Sequence, residues 1–416
     1  MTALTRLTLG ILGLCASLAA QAQSTTLTVT AFPSIDQVVK AAIPAWKKLH
    51  PDVDIKLVSR EFADHHNAMT ISLATGASQA DVMAVELGFL GRFAEGGGLE
   101  SLSKPPYSGG QYQARFAAFT YPLATNSSGE LVAMPADLGP GTLFYRNDVL
   151  QKAKLKEGDL NVSWDGYIEA GKKIKARTGA YLLAHARDMK DIVIRSNLGD
   201  GEGIFFDKSN KVLVESPRFV KAFELARTVR NAKLDAKINA WSNEWSESFK
   251  RGTVATQMMG SWLGAHLANN FAPATKGLWR VAQLPNNAYA SWGGTFYAIP
   301  KTAKNKEMAW EFIKFLTLNK DNQLAGFKTQ DAFPALLEAQ SDPYFEQPIA
   351  FLGGQKARLL WRDAVGHIAP SEVNKFDPVA DEIINTELDK VLDQGKDIKT
   401  ALADAKALIE RRARRR

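Results

Sequence analysis

Leu27-Thr28-Val29-Thr30-Ala31 alternates apolar and polar residues, and the segments after it switch period. Alternation predicts a strand, with side chains pointing to opposite faces. Phe32-Pro33-Ser34 turns the chain, and Ser34 is placed to cap a helix running to about His50. Ile35, Val38, Ala42, Trp46 and Leu49 recur at helical spacing, and Pro51-Asp52 stops the helix. Val53, Ile55 and Leu57 alternate as a second strand. A helix over about Asp64 to Ala74 follows, then Ala80 to Val85 as a third, nearly continuous apolar strand. Strand, helix, strand, helix, strand predicts an α/β chain whose parallel sheet carries helices on both faces. Ligands of such doubly wound sheets sit at the carboxyl ends of the strands. Here those ends are Phe32-Pro33-Ser34, Ser59 to Phe62 and Glu86 to Phe89, which chain order alone gathers on one rim.

Further along, Gly139-Pro140-Gly141 punctuates the chain after the apolar stretch Leu131 to Met134. A second strand-and-helix series runs from Thr142 to about Met259, with Ser216-Pro217 as a helix start. Trp292-Gly293-Gly294 reads as another crossing point. Asn305 to Leu318 is a helix with Ala309, Phe312, Ile313 and Leu316 on one face. Ile384, Leu388, Val391 and Leu392 share a face of a later helix that Gly395 ends, and Ile398 to Ile409 lines the last one. Trp46 and Trp310 fall on helices and read as core.

The first residues read as an export signal. Arg6 precedes an apolar run from Leu7 to Ala20, and Ala20-Gln21-Ala22 offers a small-x-small cleavage site before Gln23. The run is shorter than the roughly 20 residues that span a bilayer. Cys15, the only cysteine, lies inside it after Leu14, where a lipoprotein signal would need a small residue, so no lipid anchor is expected. The mature chain then has no thiol, disulfide or cysteine-bound metal, which suits an oxidising compartment. At 416 residues it has room for two globular domains. Net charge is +7, but five arginines between Arg411 and Arg416 carry most of it and leave the body near neutral. That argues against nucleic-acid binding, which needs a basic folded face. The arginines read as the end of a helix favoured by its macrodipole, with contact to anionic lipid as the alternative.

Enzyme signatures are missing: no GxSxG elbow, P-loop, HExxH or GxGxxG after a strand. His65-His66 is the only close histidine pair; adjacent helical positions do not face each other, so a surface or capping role is expected. Gly199-Asp200-Gly201-Glu202-Gly203 lacks the alternating ligands of a calcium loop and reads as a turn. Two carboxylates converging for glycoside hydrolysis remain open.

Several stretches together resemble the sugar-binding branch of the extracellular solute-binding proteins that feed ABC importers. They are Thr75-Gly76 to Asp81-Val82; Phe93-Ala94-Glu95-Gly96; Met134-Pro135-Ala136-Asp137 with Leu143-Phe144-Tyr145-Arg146-Asn147; Phe249 to Gly252 through Met259-Gly260-Ser261-Trp262; and Trp292-Gly293-Gly294, Ala298-Ile299-Pro300 and Glu307 to Phe312. Their order across nearly the whole mature chain is the specific part. The resemblance implies two α/β lobes, each a doubly wound sheet, joined by a hinge crossed three times. The first lobe would take 23–137 and 295–333, and the second 138–294 and 334–416. It also implies a monomeric periplasmic carrier without cofactor, metal or catalysis, which hands a small polar ligand to an ABC importer permease.

Sugars are held by aromatic faces over their C–H surfaces and by acids and amides on their hydroxyls. Asp137, at the first crossing, is the leading polar candidate as a hydroxyl acceptor; Glu86 follows, with Ser34 and Glu61 at the other strand ends. Trp262 matches the family's Gly-x-Trp position and is the leading stacking platform. Trp292 is second, with Gly293 and Gly294 allowing close backbone approach. Asp188 and His367 are placed in the second lobe's wall by approximate position. The competing reading is core packing for the tryptophans and solvated or capping carboxylates for the acids. Two other functions stay open: a carrier of a polyamine or polyol, and a periplasmic glycan-acting enzyme. The iron-binding branch would want paired tyrosines, and no Tyr-Tyr occurs.

Overall fold

The structure, a computed structural model, describes residues 24–77 and 80–414. The expected signal segment and Cys15 lie outside these residues, as do Ser78 and Gln79 of the first resemblance stretch. The opening pattern forms as read. Strand β1 (Thr25–Ala31) leads to helix α1 (Ile35–Leu49), strand β2 (Val53–Ser59), helix α2 (Phe62–Thr75) and strand β3 (Val82–Glu86), and β1 lies parallel between β2 and β3. On α1 the buried residues are Ile35, Val39, Ala42 and Trp46, whereas Leu49 is exposed. Ser34 holds the N-cap position with left-handed backbone and makes no side-chain capping bond, which corrects its expected role. Ser216 likewise precedes the helix Pro217–Asn231 without a capping bond.

From β3 onward the sheet is mixed. Strand β4 (Met134–Arg146) is antiparallel to β5 (Thr256–Gly260), β6 (Trp279–Ala282), β7 (Ser291–Ala298) and β8 (Phe333–Pro334), and β7 is also antiparallel to β3. One eight-stranded sheet in the order β2-β1-β3-β7-β4-β5 runs through the molecule, with β6 and β8 also pairing with β4. Gly139-Pro140-Gly141, expected to break the chain, lies inside β4. Proline cannot donate to a ladder, and the register shifts at Pro135/Asp137 and Leu138/Pro140 absorb the misfit as bulges.

Two cores flank the sheet. One gathers Leu27, Val29, Val39, Trp46, Ile313 and Phe312, the rings of Trp46 and Phe312 meeting edge to face at 4.9 Å. The other gathers Tyr167, Ile192, Phe219, Phe223, Leu388 and Ile409. Asp81 fastens the first together: its carboxylate accepts the backbone N–H groups of Thr28 (2.9 Å), Lys304 (3.1 Å) and Asn305 (3.0 Å). The last two precede the helix Lys306–Leu318, so a buried acid from β3's edge satisfies orphan amides at that helix start.

Candidate functional site

The rim at the end of β3 is built around an aromatic cluster. Glu86 is the N-cap of helix α3 (Leu87–Glu95), and its Oε2 accepts the N–H of Gly88 at 2.8 Å. The Glu86 N–H in turn donates to His66 Nε2 at 3.2 Å, while His66 Nδ1 meets the Phe62 carbonyl at 2.8 Å. Those partners assign the His66 proton to Nδ1. Its ring lies flat on Phe89, centroids 4.1 Å apart, and burial pushes its pKa down to about 4. His65 donates from Nε2 to the Ala84 carbonyl at 2.7 Å. Both histidines are buried, against the expected surface role, because α2 packs them between β3 and the rings of Phe32 and Phe89, with Phe62 of the same helix against His66.

Where β4, β5 and β7 meet, glycines make room for one indole. Trp262, just past β5, donates from Nε1 to the Trp292 carbonyl at 2.9 Å. A Cβ on Gly260 would stand 2.3 Å from that Nε1, and one on Gly139 1.9 Å from the Trp292 oxygen. Gly293, with φ 79, brings its backbone beside both Trp262 and Glu86 Oε1. Glu86, Gly293 and Trp262 are thus brought together from three distant segments. Trp262 also stacks on Trp241, centroids 5.8 Å apart and 19° from parallel, with His266 edge-on to both. Trp241 is 56% exposed and holds φ 71, a left-handed backbone that costs a bulky residue roughly 1–2 kcal/mol.

A cavity of about 510 Å³ opens beside this point. Leu87, Gly88, Phe89 and Leu123 line it from the rim side, and Arg195, Tyr289, Ser291, His367 and Asp377 from the other. Its size suits a small ligand. The Arg195 guanidinium lies over the Trp292 ring at 4.9 Å and donates to the Asp191 carbonyl at 2.9 Å. His367 stacks on Tyr289 at 4.5 Å. Burial pushes Glu86 up to about 7, against the opposing pull of the Gly88 amide and Arg195. Burial does the same to Asp377, helped by nearby Asp381 and opposed by the Asn374 amide.

Of the sequence candidates, His367 is the one in the cavity wall; Glu86, Trp262, Trp292 and Gly293 stand beside it, and the others are placed elsewhere. Asp137 is bonded to Thr295, pushed up to about 7 by burial, and faces a separate 20 Å³ recess with Ile35, Val38 and Tyr297. Its Oδ1 is buried without a partner there. Asp188 sits inside the second core, near His185 and Gln257 and raised to about 7, and does not line the cavity. Ser34 and Glu61 occupy the rim but not the cavity wall. Gly294, with φ 132, packs against the Asp137 carbonyl, a close approach of strand to strand and not of strand to ligand.

Residues 41–352 match the family of bacterial extracellular solute-binding proteins, well over half of the chain. The chain belongs to that family. An arabinooligosaccharide-binding protein of Bacillus subtilis is 26% identical over 294 residues, 67% of this chain and 66% of the relative. A lactose-binding protein of Rhizobium radiobacter is 26% identical over 346 residues, 78% of this chain and 77% of the relative. The match to the first relative spans just under two thirds of that protein. Among solved structures, a transporter-associated binding protein from B. animalis subsp. lactis in complex with β-1,6-galactobiose has TM-score 0.76 at 23% identity, covering 93% of this chain and 97% of that one. Such likenesses show the fold: two lobes joined by a hinge. In this solute-binding protein β4 pairs with both β7 and β8.

The sequence reading missed Arg195, Trp241 and Tyr289. None sits in an apolar period. An unpatterned tryptophan just before the helix-capping Ser242 was the one available signal.

Proposed function

We propose that this chain is the periplasmic carrier of an ABC importer and binds a mono- or oligosaccharide between its lobes. The observation that carries the ligand class is the mixed wall of the cavity, where the ring faces of Phe89, Tyr289 and His367 stand beside Arg195 and the carboxyls of Glu372, Asp377 and Asp381. A hydroxyl-rich neutral ligand suits the same set: acids and guanidinium for its hydroxyls, ring faces for its C–H surfaces. The sugar ligands named for the relatives point the same way.

In this reading the chain is exported through residues 1–22 and acts as a monomer without nucleic acid, metal or catalysis. The first lobe takes 23–137 and 295–333, and the second 138–294 and most of 334–416. We extend the first lobe past 333 to about Gln340, because Ala335 N–H donates to the Ala136 carbonyl and Arg115 pairs with Glu338. Ligand contacts from both sides favour the closed form, which the permease recognises.

The test is a thermal-shift screen across sugars, polyols and polyamines, since a ligand at about 100 times its Kd adds roughly 2.7 kcal/mol to the native state. A sugar should raise the midpoint and spermidine should not. A rise with spermidine and with no sugar would sink the carbohydrate reading, and turnover of a chromogenic glycoside would sink the carrier reading.

A further inference from the structure

The last helix, Ile398–Arg414, is fixed to the body on one side only as far as Ile409. Ile398, Ala401, Leu402, Ala405 and Ile409 are buried against the helices Pro217–Asn231 and Asp377–Gln394. Two ion pairs add to this anchorage: Lys406 to Glu215 at 2.7 Å, and Lys396 to Asp404 at 2.6 Å. Past Ile409 the character changes. Arg411, Arg412 and Arg414 are all exposed, and the only ion pair among them in the described residues is Arg414 with Glu410 at 3.5 Å. Arg411 and Arg414 are three apart and share a helix face. Two further arginines follow in the sequence, so these six positions hold five of the chain's seven units of net positive charge.

The helix macrodipole accounts for a cation in the last turn and for little beyond it. It does not account for five, nor for leaving Arg411 and Arg412 without a carboxylate partner among the described residues. A body otherwise near neutral does not compete with this field. A rigid helix holding several guanidinium groups clear of the surface fits a plane of fixed negative charge, to which each Lys or Arg adds about fivefold in partitioning.

We propose that the arginine end of this helix is an electrostatic docking point for a bilayer carrying anionic phospholipid headgroups. It would hold the carrier in two dimensions beside the membrane that contains its permease, whichever ligand fills the cavity.

Flotation of the mature full-length chain with vesicles tests this. One set is phosphatidylcholine with about 30% phosphatidylglycerol, the other phosphatidylcholine alone, each at low and at roughly 1 M salt. Expected is binding to the anionic vesicles at low salt, none to the neutral ones, and loss at high salt. Replacing Arg411, Arg412, Arg414, Arg415 and Arg416 by glutamine should lower the partition coefficient by about 100-fold or more. Replacement of all five by lysine should preserve it, since the field and not the guanidinium is what binds. Equal partitioning of the native chain on both vesicle types would overturn the proposal. So would undiminished binding of the glutamine variant, or loss of binding in the lysine variant. Sugar-induced thermal shifts measured on the same variants stay unchanged, which separates this outcome from any failure of the carbohydrate reading.

Discussion

Gly260→Ala tests the account of how Trp262 is held. The new methyl carbon would lie 2.3 Å from Trp262 Nε1 and 2.5 Å from the Trp292 carbonyl oxygen. Neither neighbour yields easily. The indole is flanked by Trp241 and His266, and the oxygen belongs to the backbone of β7. The indole must therefore swing out, breaking the 2.9 Å hydrogen bond to Trp292. Overpacking costs about 1–3 kcal/mol and the lost bond about 0.5–1.5, so a destabilisation of roughly 2–4 kcal/mol is expected. Urea unfolding followed by tryptophan fluorescence measures it. Gly366→Ala is the control: it lies in the helix Ala357–His367, with nothing within 4 Å of an added Cβ. That change should stabilise by about 0.5–1 kcal/mol. If Gly260→Ala changes stability by less than about 0.5 kcal/mol, the range for an unremarkable surface change, the glycine has no steric duty and the reasoning fails.

Asp81→Ala leaves the amides of Thr28, Lys304 and Asn305 without their acceptor and should cost at least about 3 kcal/mol in the same unfolding assay. Trp241→Ala removes the exposed half of the tryptophan pair while keeping the left-handed backbone. It should weaken sugar binding by about tenfold in calorimetry while moving stability by no more than about 1 kcal/mol; a large stability loss with unchanged affinity would make it a packing residue. For pH, Asp137 ordinarily titrates at 3.8 and in the fold at about 7. Between those values the native state keeps a proton that the unfolded chain has lost, so stability falls as pH rises through the window. Asp137→Asn should flatten part of that fall between about pH 5 and 7.5, and an unchanged slope would show that Asp137 does not titrate there.

The sequence made the elements legible where local period decides them. β1 through β3 and the last two helices follow from alternation and helical spacing, and Gly395 ends its helix with φ 70 as read. Tertiary context decided the rest. Gly139-Pro140-Gly141 looks like punctuation in isolation, yet partners on both sides carry β4 straight through it. The same bulges explain Asp137. Chain order puts it at the crossing, but a one-residue shift in register decides which face of the sheet a side chain takes. Here it turns to the recess under α1. The spacing of His65 and His66 points outward, yet rings from two other segments, Phe32 and Phe89, cover them beside Phe62 of their own helix. The cavity wall of Arg195, Tyr289 and His367 comes from two helix ends and a loop, where no apolar period marks a site.

One feature of the sheet bears on how the molecule is made. β3 has β7 as its neighbour, and β7 begins only at Ser291, after much of the other lobe has been synthesised. A chain emerging from the ribosome therefore cannot complete its first sheet until some 200 residues beyond β3 exist, and such distant pairing is intrinsically slow to form. The early strands and helices thus stay without their antiparallel neighbour until most of the chain has been made.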